Sequence, residues 1–177
     1  LGIDNSFVRF DAAASAFVGY VTDGATVTLE NCYTGKNVYV DGAVAGGMVG
    51  TVGGKTARST VNVSNCYSLA SIYSEYNREA LVGYTHWTYT PVVTIANSYI
   101  LGGRVVGEKR TNTTASNCYE SVDGPLNDGV TTISAENMVG DDVLISGSKM
   151  AGLRMAGCYV AKKADFNTAN SDTYVYL

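Results

Sequence analysis

Proline is nearly absent, with two in 177 residues, histidine and tryptophan occur once each, and no apolar run approaches the ~18 residues needed to cross a bilayer. The scarcity of proline, beside 46% hydrophobic residues, marks an ordered domain rather than a linker. With His86 alone, multi-histidine zinc sites are excluded, and any Ser-His-Asp arrangement would have to use that one residue. Basic excess is missing too. Twelve Lys and Arg against sixteen Asp and Glu give a net charge of −4, which argues against nucleic acid or an anionic membrane as partner. There is no Cys-x-x-Cys, no Gly-rich phosphate loop leading into a helix and no calcium loop of alternating Asp, so neither a cofactor nor a metal is expected. Acids do not cluster: Glu30, Asp41, Glu75, Glu79 and Glu108 are isolated, and the one adjacent pair, Asp141-Asp142, reads as a solvated turn. The chain starts at Leu1 without a signal peptide, which is the expectation for a piece of a longer protein or a processed mature segment.

Repetition is what the sequence does have. Asn-Cys-Tyr occurs at Asn31-Cys32-Tyr33, Asn65-Cys66-Tyr67 and Asn117-Cys118-Tyr119, with Asn97-Ser98-Tyr99 as a one-atom variant. The steps are 34 residues from Asn31 to Asn65, 32 from Asn65 to Asn97 and 20 from Asn97 to Asn117. A second motif advances with the first: Phe17-Val18-Gly19, Met48-Val49-Gly50, Leu81-Val82-Gly83 and Val105-Val106-Gly107. Repeats of this length bury their apolar faces against one another rather than within themselves.

The units are rich in Val, Thr and Tyr and broken by Gly and Asn every few residues, so strands fit and amphipathic helices do not. Four and two residues before each Asn stand Val27/Leu29, Val61/Val63, Val93/Ile95 and Thr113/Ala115, a two-residue alternation with one apolar face. The predicted fold is all-β, a parallel β-solenoid (β-helix) of about four coils over residues 1–124, closed by a small C-terminal cap over 125–177. Ser134-Ala135-Glu136-Asn137-Met138 reads as a helix start within that cap, and Met150 to Val160 and Tyr174 to Leu177 as short strands. Asn is expected at one bend of the coil and the glycine of apolar-Val-Gly at another. Cys32, Cys66 and Cys118 share one repeat position, where Ser98 substitutes, so they read as small buried hydrophobes carrying free thiols; Cys158 reads as a degenerate further copy. Tyr33, Tyr67, Tyr99 and Tyr119 should form a ladder, an outward stripe if the cysteines point in, with stacking for stability as its main role.

Taken together, the Met48-Val49-Gly50 element followed by Asn65-Cys66-Tyr67, and Leu81-Val82-Gly83 followed by Asn97-Ser98-Tyr99, resemble the GLUG-motif repeats of large bacterial cell-surface and adhesin-like proteins. The resemblance covers about residues 16 to 120, and the leading Gly of the family pattern is replaced by Ala16, Ala80 or Arg104. It implies an extracellular, cell-surface or secreted bacterial setting, adhesion or display, and neighbouring domains in a longer chain. No catalytic residue comes with the motif.

Candidate binding residues are aromatic. Tyr84-Thr85-His86-Trp87-Thr88-Tyr89-Thr90-Pro91 lies in one of the lengthened intervals, and Tyr84, His86, Trp87 and Tyr89, joined by Tyr73 and Tyr76, form a candidate patch for a glycan or a host or cell-surface protein. The expected function is therefore a non-enzymatic surface module. A purely structural spacer and a polysaccharide-processing enzyme on a β-helix scaffold are the alternatives.

Overall fold

The computed structural model describes residues 1–35, 37–76, 79–86, 88–108, 112–121 and 128–132, together with the backbone of 159–161 and 174–176. Among them there are strands and no helix. Numbered in chain order, β1 (Gly2–Ile3), β5 (Tyr33–Thr34), β8 (Tyr67–Ser68), β12 (Tyr99–Ile100), β15 (Cys118–Glu120) and β16 (Val130–Thr132) form sheet A. Sheet B contains β2 (Ser6–Ser15), β3 (Val18–Val21), β6 (Val38–Val52), β9 (Ser71–Ser74), β10 (Ala80–Thr85) and β13 (Arg104–Val106). Sheet C contains β4 (Thr26–Glu30), β7 (Thr60–Ser64), β11 (Val92–Ala96) and β14 (Thr113–Ser116). Every pairing in these three sheets is parallel, and from β4 to β15 the chain visits sheets C, A and B in rotation. One further pair, β17 (Tyr159–Ala161) with β18 (Tyr174–Tyr176), is antiparallel. The predicted helix start at 134–138, Asp141-Asp142 and Cys158 lie outside the described residues.

Sheet C carries the alternation read from the sequence. Val27, Val61, Val93 and Thr113 are in one register row and Leu29, Val63, Ile95 and Ala115 in another. Apart from Thr113, these rows join the main apolar cluster, which also takes Met48, Val49, Leu81, Val82, Val105 and Val106 from sheet B and Ile100 from sheet A. Burying a side chain such as Ile95 contributes about 1.5–3 kcal/mol, so the shared interior is the principal stabilising feature.

The Asn of each motif turns the chain from sheet C into sheet A. Asn31, Asn65, Asn97 and Asn117 all adopt left-handed backbone angles, φ 53°, 53°, 47° and 50°, which Asn tolerates better than other residues with a side chain. Immediately beyond it the cysteine position turns inward. Cys32 N–H donates to Cys66 Sγ (3.4 Å) and Cys66 N–H to Ser98 Oγ (3.1 Å), while Cys66 Sγ and Ser98 Oγ donate to the carbonyls of Ser64 (3.1 Å) and Ala96 (2.8 Å). Cys32, Cys66 and Cys118 are free thiols, as expected, but packing is only part of their role. Cys66 Sγ and Ser98 Oγ accept the N–H groups of Cys32 and Cys66 and add a second donor to the Ser64 and Ala96 carbonyls, which already accept the Asn31 and Asn65 N–H groups, so Ser can replace Cys in one copy.

Two further expectations need refining. Gly19, Gly50 and Gly83 are not corners: they lie inside β3, β6 and β10 at ordinary φ. A Cβ on Gly50 would stand 2.6 Å from Gly19 O, and one on Gly83 2.7 Å from Gly50 O, so close backbone approach between neighbouring strands demands glycine there. The tyrosines do stack, with centroids 5.1 Å apart for Tyr33–Tyr67 and 5.0 Å for Tyr67–Tyr99. They do not form an exposed stripe, because Tyr67 and Tyr99 are wholly buried although they stand outside the main apolar cluster.

Candidate functional site

Sheet B is where aromatic side chains reach solvent. Along β2 and β6 alternate residues face outward, which brings Phe7 beside Tyr39 with rings 5.2 Å apart and nearly parallel at 2°. Two residues on, Arg9, Asp41 and Tyr73 share a row, in which Arg9 Nε pairs with Asp41 Oδ2 at 3.3 Å. Farther along the sheet Tyr20, Thr51 and Tyr84 share another row, each directly after the glycine of an apolar-Val-Gly motif.

Between these rows runs a groove of about 610 Å³ lined by Phe10, Ala12, Ala13, Gly19, Tyr20, Ala43, Val44, Thr51, Tyr76, Tyr84 and His86. An irregularity shapes it. From Phe10 to Ala13 strand β2 takes three steps while β6 takes two from Gly42 to Val44, so an extra residue bulges at the groove. Small side chains from both strands leave the room that the rings enclose. Among the described residues the lining contains no carboxylate and no Lys or Arg; their polar groups are the hydroxyls of Tyr20, Thr51, Tyr76 and Tyr84 and the imidazole of His86.

His86 is held from several directions. Its N–H donates to Val52 O (2.7 Å), and its Cβ occupies the space that a side chain on Gly53 would need. Nδ1 accepts the Thr88 N–H at 3.1 Å, so the neutral ring carries its proton on Nε2. Tyr84 meets the ring edge-on, with centroids 5.9 Å apart and planes at 77°.

Of the aromatic residues singled out in the sequence, the structure brings Tyr76, Tyr84 and His86 into one groove. Tyr73 is exposed on the same sheet without lining it, and Tyr89 is exposed in the loop beyond, at φ 54° and also away from the lining. Trp87 lies outside the described residues. Sequence reasoning missed Phe10 and Tyr20, along with the Phe7–Tyr39 pair. The signal for Tyr20 was available, since the position after the first three apolar-Val-Gly copies reads Tyr20, Thr51 and Tyr84, with Glu108 after the fourth.

Ionisable groups elsewhere serve the framework. Asp23 Oδ1 accepts the Lys55 and Thr56 N–H groups (2.8 and 2.9 Å) and the Thr56 hydroxyl (3.0 Å), tying two loops together. Those bonds, the Thr56 N–H foremost, hold its carboxyl down at about 2. Glu120 is 1% exposed; burial pushes its carboxyl up, opposed by the Val105 N–H at 2.7 Å and by Arg104 at 3.7 Å. Burial likewise raises the Cys118 thiol to about 11, so near neutral pH it keeps its proton and donates to Ser116 O (3.2 Å). Among the described residues no three His, Cys, Asp or Glu side chains group so as to hold a metal ion.

Comparison with known proteins returns nothing: no family model, no curated protein and no solved structure matches the chain.

Proposed function

We propose that the rotation through sheets C, A and B is the winding of a parallel β-solenoid, and that the chain is a non-enzymatic module of an extracellular bacterial surface protein that binds a neutral glycan on the aromatic face of sheet B. The observation that carries this reading is the groove itself: aromatic rings and small apolar side chains, hydroxyls and one imidazole and, among the described residues, no carboxylate or ammonium. Sugar rings present C–H faces that stack on aromatic rings and hydroxyls that bond to polar tips, a pairing that uncharged aromatic sites accommodate. Hydrolysis of a glycosidic bond ordinarily takes a pair of carboxyl groups, and the described lining residues supply none, which favours binding over turnover. The bacterial surface setting rests on the motif resemblance alone.

A glycan array probed with the purified chain, then repeated with Tyr20→Ala and Tyr84→Ala, tests this. We expect retention of at least one neutral oligosaccharide and a loss of roughly tenfold or more in each variant, equivalent to about 1.4 kcal/mol. Binding that survives both substitutions overturns the assignment to this groove. A protein ligand is the second reading, favoured by Phe7 and Tyr39, whose exposed stack carries the aromatic surface beyond what one sugar ring covers.

A further inference from the structure

The first residues of the chain occupy places that belong to a rung of their own. Gly2 pairs with Tyr33 and Ile3 with Thr34, so Leu1 stands directly beneath Cys32, where the rungs above place Cys or Ser. Its backbone obeys the same bonding rule. Tyr33 N–H donates to Leu1 O (3.0 Å) as Tyr67 N–H does to Cys32 O (3.1 Å) and Tyr99 N–H to Cys66 O (3.1 Å). Even the Leu1 amino group points to Cys32 Sγ (3.9 Å), one level below the Cys32-to-Cys66 and Cys66-to-Ser98 bonds. Sheets A and B therefore each possess a strand below the first Asn-Cys-Tyr copy, whereas among the described residues sheet C ends at β4.

That end of sheet C is apolar and, among the described residues, has no strand paired to it. Val27 and Leu29 are only half-buried, while Val61, Val63, Val93 and Ile95, their equivalents on the next rungs, are at most 1% exposed. Thr60 N–H donates to Ala25 O and Asn31 N–H to Ser64 O, so the odd-numbered residues of β4 direct their backbone groups toward β7. In a parallel ladder the groups of Thr26, Thr28 and Glu30 then face the opposite way, toward the free edge. In β7 the register equivalents of those three, Thr60, Asn62 and Ser64, face β4.

From these observations we infer that the β4 edge is an assembly surface for a parallel strand of this chain's own sheet C type, contributed by a further coil that runs directly into Leu1. The occupant is fixed in some detail. It carries apolar side chains over Val27 and Leu29, small or polar ones between them, and a residue tolerant of the left-handed conformation, Asn above all, immediately before Leu1. Another coil of the same repeat meets these requirements, because it brings matching edges and a matching interior in one register. This rests on the winding proposed above but not on any glycan, so the two readings fail separately.

The experiment duplicates Ser59–Asn65 directly ahead of Leu1, giving Ser-Thr-Val-Asn-Val-Ser-Asn-Leu1, and measures amide exchange residue by residue. We expect the Thr26, Thr28 and Glu30 amides to exchange roughly tenfold or more slowly than in the unextended chain, with a higher thermal midpoint. A control extension with Asp at both Val places, and another lacking the final Asn so that the alternation falls on the wrong face, should leave those amides as they were. Unchanged exchange in the first extension, or equal slowing in either control, overturns the inference. Slowing that grows with concentration in the unextended chain overturns it as well, assigning the edge to a second copy instead.

Discussion

Replacing Cys66 by Ser and by Ala separates two accounts of the repeated cysteine. Cys66 is fully buried; its Sγ accepts the Cys32 N–H at 3.4 Å and donates to Ser64 O at 3.1 Å, while on the next rung Ser98 Oγ makes the equivalent bonds with Cys66 N–H and Ala96 O. Serine at 66 keeps a donor and an acceptor in place. Alanine removes both; the Ser64 carbonyl keeps the Asn31 N–H, but the buried Cys32 N–H loses its acceptor, and such a group costs about 1–3 kcal/mol when its partner disappears. Both variants give up the packing of a sulfur atom, on the order of a methylene or about 0.8 kcal/mol, so that part nearly cancels between them. The Ala variant should therefore be less stable than the Ser variant by about 1–3 kcal/mol. In urea unfolding this is a lower midpoint at equal slope, and in a thermal scan a difference of roughly 2–4 °C per kcal/mol for a chain of this size. Equal stability, or Ala the more stable, would refute the polar role and leave the cysteines as packing atoms.

The Asn bends should obey a backbone rule: Asn97, at φ 47° and accepting the Asn117 side-chain amide at 2.8 Å, tolerates Gly better than Ala, with a difference of about 1 kcal/mol in chemical denaturation. Equal loss in the two variants would show that the side-chain ladder, not the left-handed conformation, sets the requirement. Asp23 should titrate near 2 in the folded protein, below its ordinary 3.8, when its carboxyl carbon is followed by NMR. A depressed folded pKa means that the stabilisation is complete above 3.8 and disappears as pH falls through about 2, so Lys55 and Thr56 amide protection should weaken over that window and Asp23→Asn should abolish the dependence. A midpoint close to 3.8 would mean that the loop clamp does not form in solution.

Which parts were legible in the sequence follows from the range of the physics involved. The Asn bend and the paired apolar rows are local: a left-handed residue is needed wherever strand β4, β7, β11 or β14 ends, and positions two and four before it must face the interior, so both recur in every copy. The glycine of apolar-Val-Gly was visible but misread, because its cause is non-local; the carbonyl that excludes a Cβ from Gly83 belongs to Gly50, a full rung away. The same holds for the groove. Phe10, Tyr20, Tyr76 and Tyr84 come together only through the pairing of β2, β3, β9 and β10 with the 15-residue β6, and nothing near Phe10 in the chain signals that partnership. Leu1 escaped notice for a similar reason, since it fills a cysteine place without any of the motif around it.

The equivalence of Asn65, Asn97 and Asn117 bears on how such a gene can change length. Unequal recombination that joins the codons ahead of one Asn to those behind another deletes or duplicates a whole level, whether that level is 20 or 32 residues long. The new junction falls on a bend with the same backbone conformation and with a Cys or Ser directly after it, so the turn from sheet C into sheet A survives the change. In the winding proposed above, height is then a trait that selection can adjust in whole steps.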